Sequence, residues 1–506
     1  MAMNVSGFYK DQNVFITGGS GFLGRVLIEK LLRSCPNIGN IYLLLREKKG
    51  MNIMDRVTEI VNLPLFRNLE AQKSEIIKKI IPIPGDCMNI NLGISESNYK
   101  MLEENVSIVF HCAASVRFND TLKKAIIMNV RGTRETMLLA RKMKNLKVFV
   151  HVSTCYCHCD KKVVEERMYP APVDWRKYIE IAETVDEEIL TILTKKIIDD
   201  LPNTYVFSKS LAEHVVDDLR ENVPAVIVRP SIVTSTLSEP FPGWIDNWNG
   251  PVALVVAGIK GVLRTMIVNE QPIDIIPVDT TIKISCAAAC EKSESGKYED
   301  VSVYNIAAGE ATAVPVERLV KHGEDYILEH PIDFLWIPCC IPTKHKAVFY
   351  FYIVFMHLIP ASIIDFILRL RGAEPRLLKI TRKMYYSIKE LSYFSVNSWI
   401  FENYKMLLLG KKIASNDEFN LLDFEKFQLI NFLDTSVYEA CILLLNCTPG
   451  NSRAKRNLAW MLMFQKILKI SAILLGIWFL FVSEFLQIIF NYAFDIVHSY
   501  AVEIYS

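Results

Sequence analysis

Net charge is almost absent from this 506-residue chain: 57 Lys and Arg stand against 56 Asp and Glu, leaving +1. Without a basic surplus or a basic run there is no electrostatic footprint for nucleic acid, and none is expected as a partner. A regular cysteine framework is missing as well. The twelve cysteines are scattered, some adjacent (Cys339, Cys340) and some clustered (Cys155, Cys157, Cys159). No secretory apolar core precedes them in Met1 to Asp11, so a reducing compartment with free thiols is expected. The terminal Glu503-Ile504-Tyr505-Ser506 is neither an endoplasmic-reticulum retention signal nor a peroxisomal address. Internal repeats and low-complexity linkers are lacking too. Apolar residues are not lacking: 51% of the chain is hydrophobic and 22% charged. The mean hydropathy of +0.21 is high for a soluble two-layer enzyme. At roughly 100–200 residues per domain the length allows about two to four domains, enough for a large core.

The first 150 residues alternate strand and helix patterns. Asn13 to Thr17, Ile41 to Leu45, Ile80 to Pro84, Val106 to His111 and Val148 to Val152 read as short buried strands. Helical periodicity fills the gaps, as over Phe22 to Arg33. Continuous apolar strands separated by amphipathic helices predict a parallel sheet covered on both faces, a doubly wound α/β Rossmann domain. Asp160 to Asn203 is polar and partly helical, Tyr205 to Leu219 a helix and Ala225 to Val228 a strand. Residues 230–280, rich in Pro, Gly and Trp, read as pocket-shaping loops.

Thr17-Gly18-Gly19-Ser20-Gly21-Phe22-Leu23-Gly24 joins the first strand to the first helix. Gly18 would allow the tight turn, Gly21 the approach of a pyrophosphate, and Gly24 close helix–sheet packing. The first-turn amides at Phe22, Leu23 and Gly24 would face the phosphates. A glycine-rich structural turn is the plain alternative, which the strand–turn–helix setting disfavours. The second strand ends in Arg46, followed by Glu47, Lys48 and Lys49. A cation there accommodates a ribose 2′-phosphate, favouring NADPH over a solvated charged loop. Tyr205 and Lys209 sit four apart on one helix face. A nearby ammonium and a positive nicotinamide would lower the phenol pKa and make Tyr205 a usable proton donor. Ser153 and Thr154 end the fifth strand, where a hydroxyl could bind a substrate carbonyl oxygen.

With these residues in hand, the chain resembles the eukaryotic fatty acyl-CoA reductases, extended short-chain dehydrogenases with a C-terminal helical domain of the male-sterility type. The stretches that carry the resemblance include TGGSGFLGRVLIEKLLRSCP (17–36), HCAASVRFND (111–120), NTYVFSKSLAE (203–213), EPFPGWIDNWNGP (239–251) and DIIPVD (274–279). MHLIPASIIDFILRLRG (356–372) looks like the opening of the helical domain. The likeness weakens after about Asp417, where an acidic-aromatic stretch is replaced by FEKFQLINFLDTSVYEAC (424–441). The resemblance implies an NADP-binding reductase domain over 1–280, the rest of the substrate region over 281–345, a helical domain over 346–448 and a basic flank with membrane anchor over 449–506. It implies Tyr205 as proton donor, Lys209 as its partner on the nicotinamide ribose, and Thr154, rather than Ser153, as the group that polarises the carbonyl oxygen. Asp86 would contact the adenine, and Ala113-Ala114 would line the cofactor channel. The reaction implied is reduction of a long-chain acyl-CoA to a primary alcohol by two hydride transfers. Residues 160–203 and 238–272 are candidate lids. A hydroxysteroid or sugar-nucleotide dehydrogenase of the same superfamily and a catalytically silent lipid-binding scaffold are the competing readings.

Cys155, Cys157, His158 and Cys159 invite a metal, but the paired Cys-x₂-Cys spacing of structural zinc is missing and no metal is expected. A cysteine nucleophile is chemically conceivable yet unnecessary for direct hydride transfer. His357 and Asp365 interrupt the apolar run Ala347 to Leu368, where a packing role is expected for both. That run is long enough to span a bilayer, but Lys344 and Lys346 flank one end and Arg369 and Arg371 the other, so it carries no orientation. It reads as a buried or interfacial helix pair in contact with lipid or acyl chain. The run from Ile470 to about Phe494 follows a basic flank (Arg453, Lys455, Arg456, Lys466, Lys469) and precedes a tail without Lys or Arg. That asymmetry predicts an anchor with the catalytic part in the cytosol, on the endoplasmic reticulum or alternatively the peroxisomal membrane. Its uninterrupted part, Ile470 to Val482, is short, so Lys469 and Glu484 would have to snorkel. Membrane lipid is thus an expected partner, and a homo-oligomer is compatible with the sequence.

Overall fold

Seven short strands form one wholly parallel sheet: β1 (Val14–Thr17), β2 (Ile41–Leu45), β3 (Ile80–Pro84), β4 (Ile108–His111), β5 (Val148–Val152), β6 (Ala225–Pro230) and β7 (Ser302–Ile306). Their order across the sheet is 7-6-5-4-1-2-3. The computed structural model describes the chain apart from residues 1, 48–49, 249, 297–298, 313, 483 and 506. Lys48 and Lys49, expected beside Arg46, therefore lie outside the described residues.

Among the helices of this part of the molecule, those that bear on the site are α1 (Phe22–Ser34), α2 (Gly132–Ala140), α3 (Thr204–Leu219), α4 (Pro251–Ile259) and α5 (Val278–Ser295). Alternation along each strand assigns the two faces. Val14, Ile16, Leu43 and Phe110 join Leu27 of α1 and Ile282 of α5, whereas Phe15, Leu44, Val109 and Phe149 join Met137 of α2 and Val216 of α3. Both faces being covered is why these strands read as unbroken apolar runs. The chain reverses direction across the sheet between β1 and β4, which lie side by side with Thr17 level with His111. A crevice at the carboxyl ends of strands opens at such a switch point.

Three differences from the sequence expectations matter. Residues 230–280 are not all loop: α4 starts at Pro251, after Gly250 in a positive-φ conformation, and a proline in a first helical turn loses no hydrogen bond. The division expected at 280 falls inside α5, which packs under β5 and β6. The run 347–368 is one helix rather than a pair, and of the two placements expected, buried or interfacial, its largely exposed surface excludes the fully buried one. A π turn at Ile353–Leu358 precedes Pro360, which stands in the first turn of the α-helical stretch that follows, where a proline is tolerated.

The C-terminal part is helical: after α6 (Val316–Glu329) come α7 (Lys346–Leu370), α8 (Leu377–Val396), α9 (Leu429–Leu443), α10 (Ser452–Val482) and α11 (Glu484–Tyr505). Lys346–Leu370 and Ser452–Leu480 are each long and apolar enough to cross a membrane. The basic residues expected as a flank lie within α10 itself. The segment from Ile413 to Asp417 folds back on the N-terminus. Asp417 accepts hydrogen bonds from the Ser6 N–H at 3.1 Å and hydroxyl at 3.0 Å, and Ile413 pairs with Met3.

Candidate active site

β1 delivers the chain into the glycine turn at the switch point. Gly18 has φ +75°, and a Cβ there would sit 2.6 Å from the Ala113 nitrogen at the end of β4. At Gly24 a Cβ would meet the Gly18 carbonyl oxygen at 2.4 Å, so the first turn of α1 can lie on the loop only because this residue is glycine. Gly19, which the motif reading passed over, also lies close to the sheet: a Cβ there would meet the end of the Leu43 side chain of β2 at 1.9 Å, a side-chain rather than a backbone contact. Gly21 differs, with only the Gly18 oxygen nearby at 3.1 Å, and it begins α1 without a side-chain cap. The loop is thus clamped on its inner side and open where the amides of Phe22, Leu23 and Gly24 begin the helix, a cradle that fits a dinucleotide pyrophosphate.

Around the cradle, the Ala113 N–H donates to the Thr17 hydroxyl at 3.3 Å. Asp86, just past β3, accepts the Met88 N–H at 2.9 Å. Arg46 is exposed at the end of β2, and its carbonyl accepts the guanidinium of Arg56, a second cation at this strand end that the motif reading missed. Phe22 stacks on the buried Trp244 (ring centroids 5.4 Å apart, planes 10°), and Arg25 is ion-paired with Asp246. Glu239 takes the ammonium groups of Lys30 and Lys283. The segment 239–246 is therefore strapped to α1, and at Gly243 it also lies against Thr435 and Glu439 of α9.

On the other side of the crevice, Asn203 caps α3 by accepting the Val206 N–H at 2.9 Å and so fixes the turn that carries Tyr205. Thr154 lies within hydrogen-bonding reach of the Tyr205 phenol, whereas the Ser153 hydroxyl is directed at the Cys157 sulfur, 3.7 Å away. Lys209 is 3% exposed and gives its ammonium to the Val152 carbonyl at 2.7 Å. Burial brings its pKa down to about 8, with Cys157, Cys112 and Glu213 pulling the other way. The phenol departs from expectation. Burial pushes Tyr205 above its ordinary value because the phenolate would be formed away from water, and only the Thr154 hydrogen bond works against that.

Two supports under this group were not legible in the motif. Asn129, in a π turn at Ile126–Arg131, accepts the Ser115 N–H at 2.8 Å and donates to the Ser208 hydroxyl at 2.9 Å. Glu213, two turns beyond Tyr205 on α3, is bound by Arg229 of β6 at 2.6 Å. Cys157, His158 and Glu213 bring three donor atoms within 4.8 Å of one another, a spacing that would suit a metal. However, the Arg229 guanidinium also reaches His158 Nε2 at 3.2 Å, so a fixed cation already satisfies this carboxylate. Burial and Glu213 push the Cys157 thiol well above its ordinary value, which disfavours a thiolate nucleophile.

An almost wholly apolar cavity of about 250 Å³ lies between the pair Ile232–Thr234 and Ile275–Pro277, α4, α6 and α9. Ile232 in its wall packs on the same aromatic cluster around Tyr156 as Tyr205 does. Its polar points are few, among them His322 and Asp434, which bond each other at 2.6 Å between α6 and α9. A wider hollow of about 670 Å³ at the far end of α3, lined by Asp217, Arg220 and Glu221 among others, is open and holds none of these residues.

Comparison with known proteins agrees with this layout. Residues 16–285 match the NAD-binding family model of the male sterility proteins, and residues 356–440 match their second, sterile-domain model. The human fatty acyl-CoA reductase 1 is 38% identical over 423 residues, covering 83% of this chain and 82% of that one. The Drosophila melanogaster fatty acyl-CoA reductase wat is 36% identical over 447 residues, covering 88% and 86%. Among solved structures, the terminal R domain of the myxalamid biosynthetic pathway superposes with a TM-score of 0.56 at 18% identity, covering 87% of this chain and 91% of that one. That likeness concerns the fold.

Proposed function

This chain belongs to the fatty acyl-CoA reductases, a family of oxidoreductases using a nicotinamide cofactor, and we propose that it reduces a long-chain fatty acyl-CoA to the primary alcohol with NADPH. The observation that carries the reading is the almost wholly apolar cavity, whose wall residue Ile232 packs on the same cluster as Tyr205; in this reading it takes the acyl tail and the thioester reaches Thr154 and Tyr205. The cradle at Gly18, Gly21 and Gly24 would hold the pyrophosphate, Asp86 the adenine, Ala113 the channel wall, and Arg46 the 2′-phosphate. NADPH bound there would supply one hydride for each reduction, a second NADPH replacing the spent NADP⁺ between the two.

Thr154 and Tyr205 polarise the thioester carbonyl oxygen. After the first hydride adds to the carbonyl carbon, the tetrahedral alkoxide collapses, breaking the C–S bond and releasing CoA thiolate. The aldehyde stays with its oxygen on the same two hydroxyls. The second hydride gives an alkoxide, which takes the Tyr205 proton. Lys209 holds positive charge beside the phenolate so formed and would grip the nicotinamide ribose. The balance is two NADPH and two protons per acyl-CoA, yielding alcohol, CoA and two NADP⁺.

Attachment to a membrane through the C-terminal helices, with the catalytic part cytosolic, belongs to the same reading. The exposed apolar half of α10, including Leu474, Trp478 and Phe479, supports it. The endoplasmic reticulum is the compartment we propose, and fractionation against peroxisomal markers tests it. For the chemistry, the full-length protein incubated with palmitoyl-CoA and NADPH should form hexadecanol. Absence of both alcohol and aldehyde would sink the assignment, and equal rates with NADH would overturn the cofactor choice.

A further inference from the structure

Helix α7 explains its own two polar interruptions. Phe349, Ile353, His357, Ala361 and Asp365 recur every fourth residue, and all are buried. The π turn takes up an extra residue and keeps that repeat on one face. His357 accepts the Arg264 N–H at 3.0 Å, and Asp365 accepts the N–H groups of Arg376, Leu377 and Leu378, capping α8. Neither is available to solvent or lipid.

The rest of the circumference is apolar and uncovered. Phe351, Phe355, Phe366 and Leu370 stand out, the last 73% exposed. Between Lys346 and Arg369 the only charged residue is the inward-facing Asp365. A helix that clings to its domain along its whole length cannot cross a bilayer by itself, since a spanning helix has lipid around its middle. Lying in the surface, it would place Lys344 and Lys346 at one end and Arg369 and Arg371 at the other beside the same layer of lipid phosphates. That accounts for cations at both ends, which a transmembrane reading does not.

The inner face of α7 leads to the cavity. Phe349 and Ile353 share one cluster with Met384 and Ile388 of α8 and with Leu254, Leu263 and Cys340 of the cavity wall. Val255 lines the cavity and is also 48% exposed, on α4 where it packs against α8. We propose that α7 lies in the membrane surface and that the seam between α7, α8 and α4 is the passage by which the acyl tail moves between bilayer and cavity. The passage rests on the reductase reading above; the docking of α7 does not.

The test uses the full chain in phosphatidylcholine vesicles, held there by its C-terminal helices. A phospholipid with a diazirine at the end of one acyl tail should label peptides from 346–370 on irradiation. Activity is then compared for octanoyl-CoA in solution and for palmitoyl-CoA preloaded into the vesicles. The outer-face variant Phe355→Glu/Phe366→Glu should keep its octanoyl-CoA rate within twofold and lose at least tenfold on the vesicle-borne substrate. Label confined to 452–505, or a cross-linked dimer with 346–370 unlabelled, overturns the docking. Labelled α7 with unchanged vesicle-borne kinetics overturns the passage. Failure of the unsubstituted enzyme on both substrates would instead count against the reductase reading.

Discussion

Arg229 grips Glu213 through both carboxylate oxygens, Nε to Oε1 at 2.8 Å and Nη2 to Oε2 at 2.6 Å, with both side chains fully buried. Removing one partner strands a buried charge, so Glu213→Gln should cost about 3–5 kcal/mol, whereas Glu213→Leu with Arg229→Met should recover much of it. Thermal unfolding in detergent reads both. Burial alone would raise the Glu213 carboxyl, but Arg229 holds it well below its usual range. The folded state then binds fewer protons there than the unfolded state. The stabilisation is complete above ~4.3 and is lost as pH falls through the folded value. A Glu213→Gln protein with an unchanged melting temperature at pH 7 would contradict the pairing.

Tyr205→Phe should lower alcohol formation by roughly 10²–10⁴-fold with the fold intact, the range for loss of a positioned proton donor. If Lys209 acts as an ammonium, its pKa of about 8 sets an alkaline limb. Activity should fall as pH rises through 8, and Lys209→Arg, which stays charged, should be slower overall but flat across that range. A rate profile level from pH 7 to 9.5 in the unsubstituted enzyme would remove this role.

The glycines should separate stability from binding. Gly24→Ala forces a Cβ to 2.4 Å from a backbone oxygen and should lower the melting temperature. Gly21→Ala meets a single backbone oxygen at 3.1 Å, a milder contact, and should lower the melting temperature less than Gly24→Ala while weakening NADPH at least tenfold. Calorimetry and fluorescence titration measure the two. A Gly21→Ala protein that binds NADPH normally would mean that the pyrophosphate does not pass there.

At the end of β2, Arg46→Glu should cut the preference for NADPH over NADH, measured as the ratio of kcat/KM, by tenfold or more. Arg56, whose guanidinium holds the Arg46 carbonyl, should have a smaller effect in the same direction. Equal loss with both cofactors would place these cations in folding rather than in recognition.

The sheet was readable because β2 and β5 are wholly buried and their apolar runs begin and end with the strands. The glycine turn and the Tyr205–Lys209 spacing were readable because each is local. What was not local stayed hidden. Glu213 and Arg229 are sixteen residues apart on different elements, and nothing in either neighbourhood marks a pair. The π turn that aims Asn129 breaks the helical period only by one residue. Residues 230–280 hid α4 because prolines and glycines flank an apolar run, and its Val and Ile residues suit strand as well as helix. For α7 the composition was plain, but which face its two polar residues take depends on the helix it caps.

The first turns of α10 decide how a truncation must be made. Ala454 is fully buried, and Leu458 packs with Ile327 of α6 and Val437 and Cys441 of α9, whereas side chains from Lys469 to Leu480 are exposed. Deleting residues 467–506 therefore removes the lipid-facing length and leaves these contacts in place. That protein should keep its melting temperature and its NADPH affinity and become extractable by alkaline carbonate, yet still float with vesicles, because α7 remains. Adding Phe355→Glu/Phe366→Glu should abolish flotation. Deletion from residue 452 uncovers Ile327, Val437 and Cys441 and should lower the melting temperature instead. A 467–506 deletion that stays wholly at the bottom of the gradient would assign all membrane attachment to the C-terminal helices and none to α7.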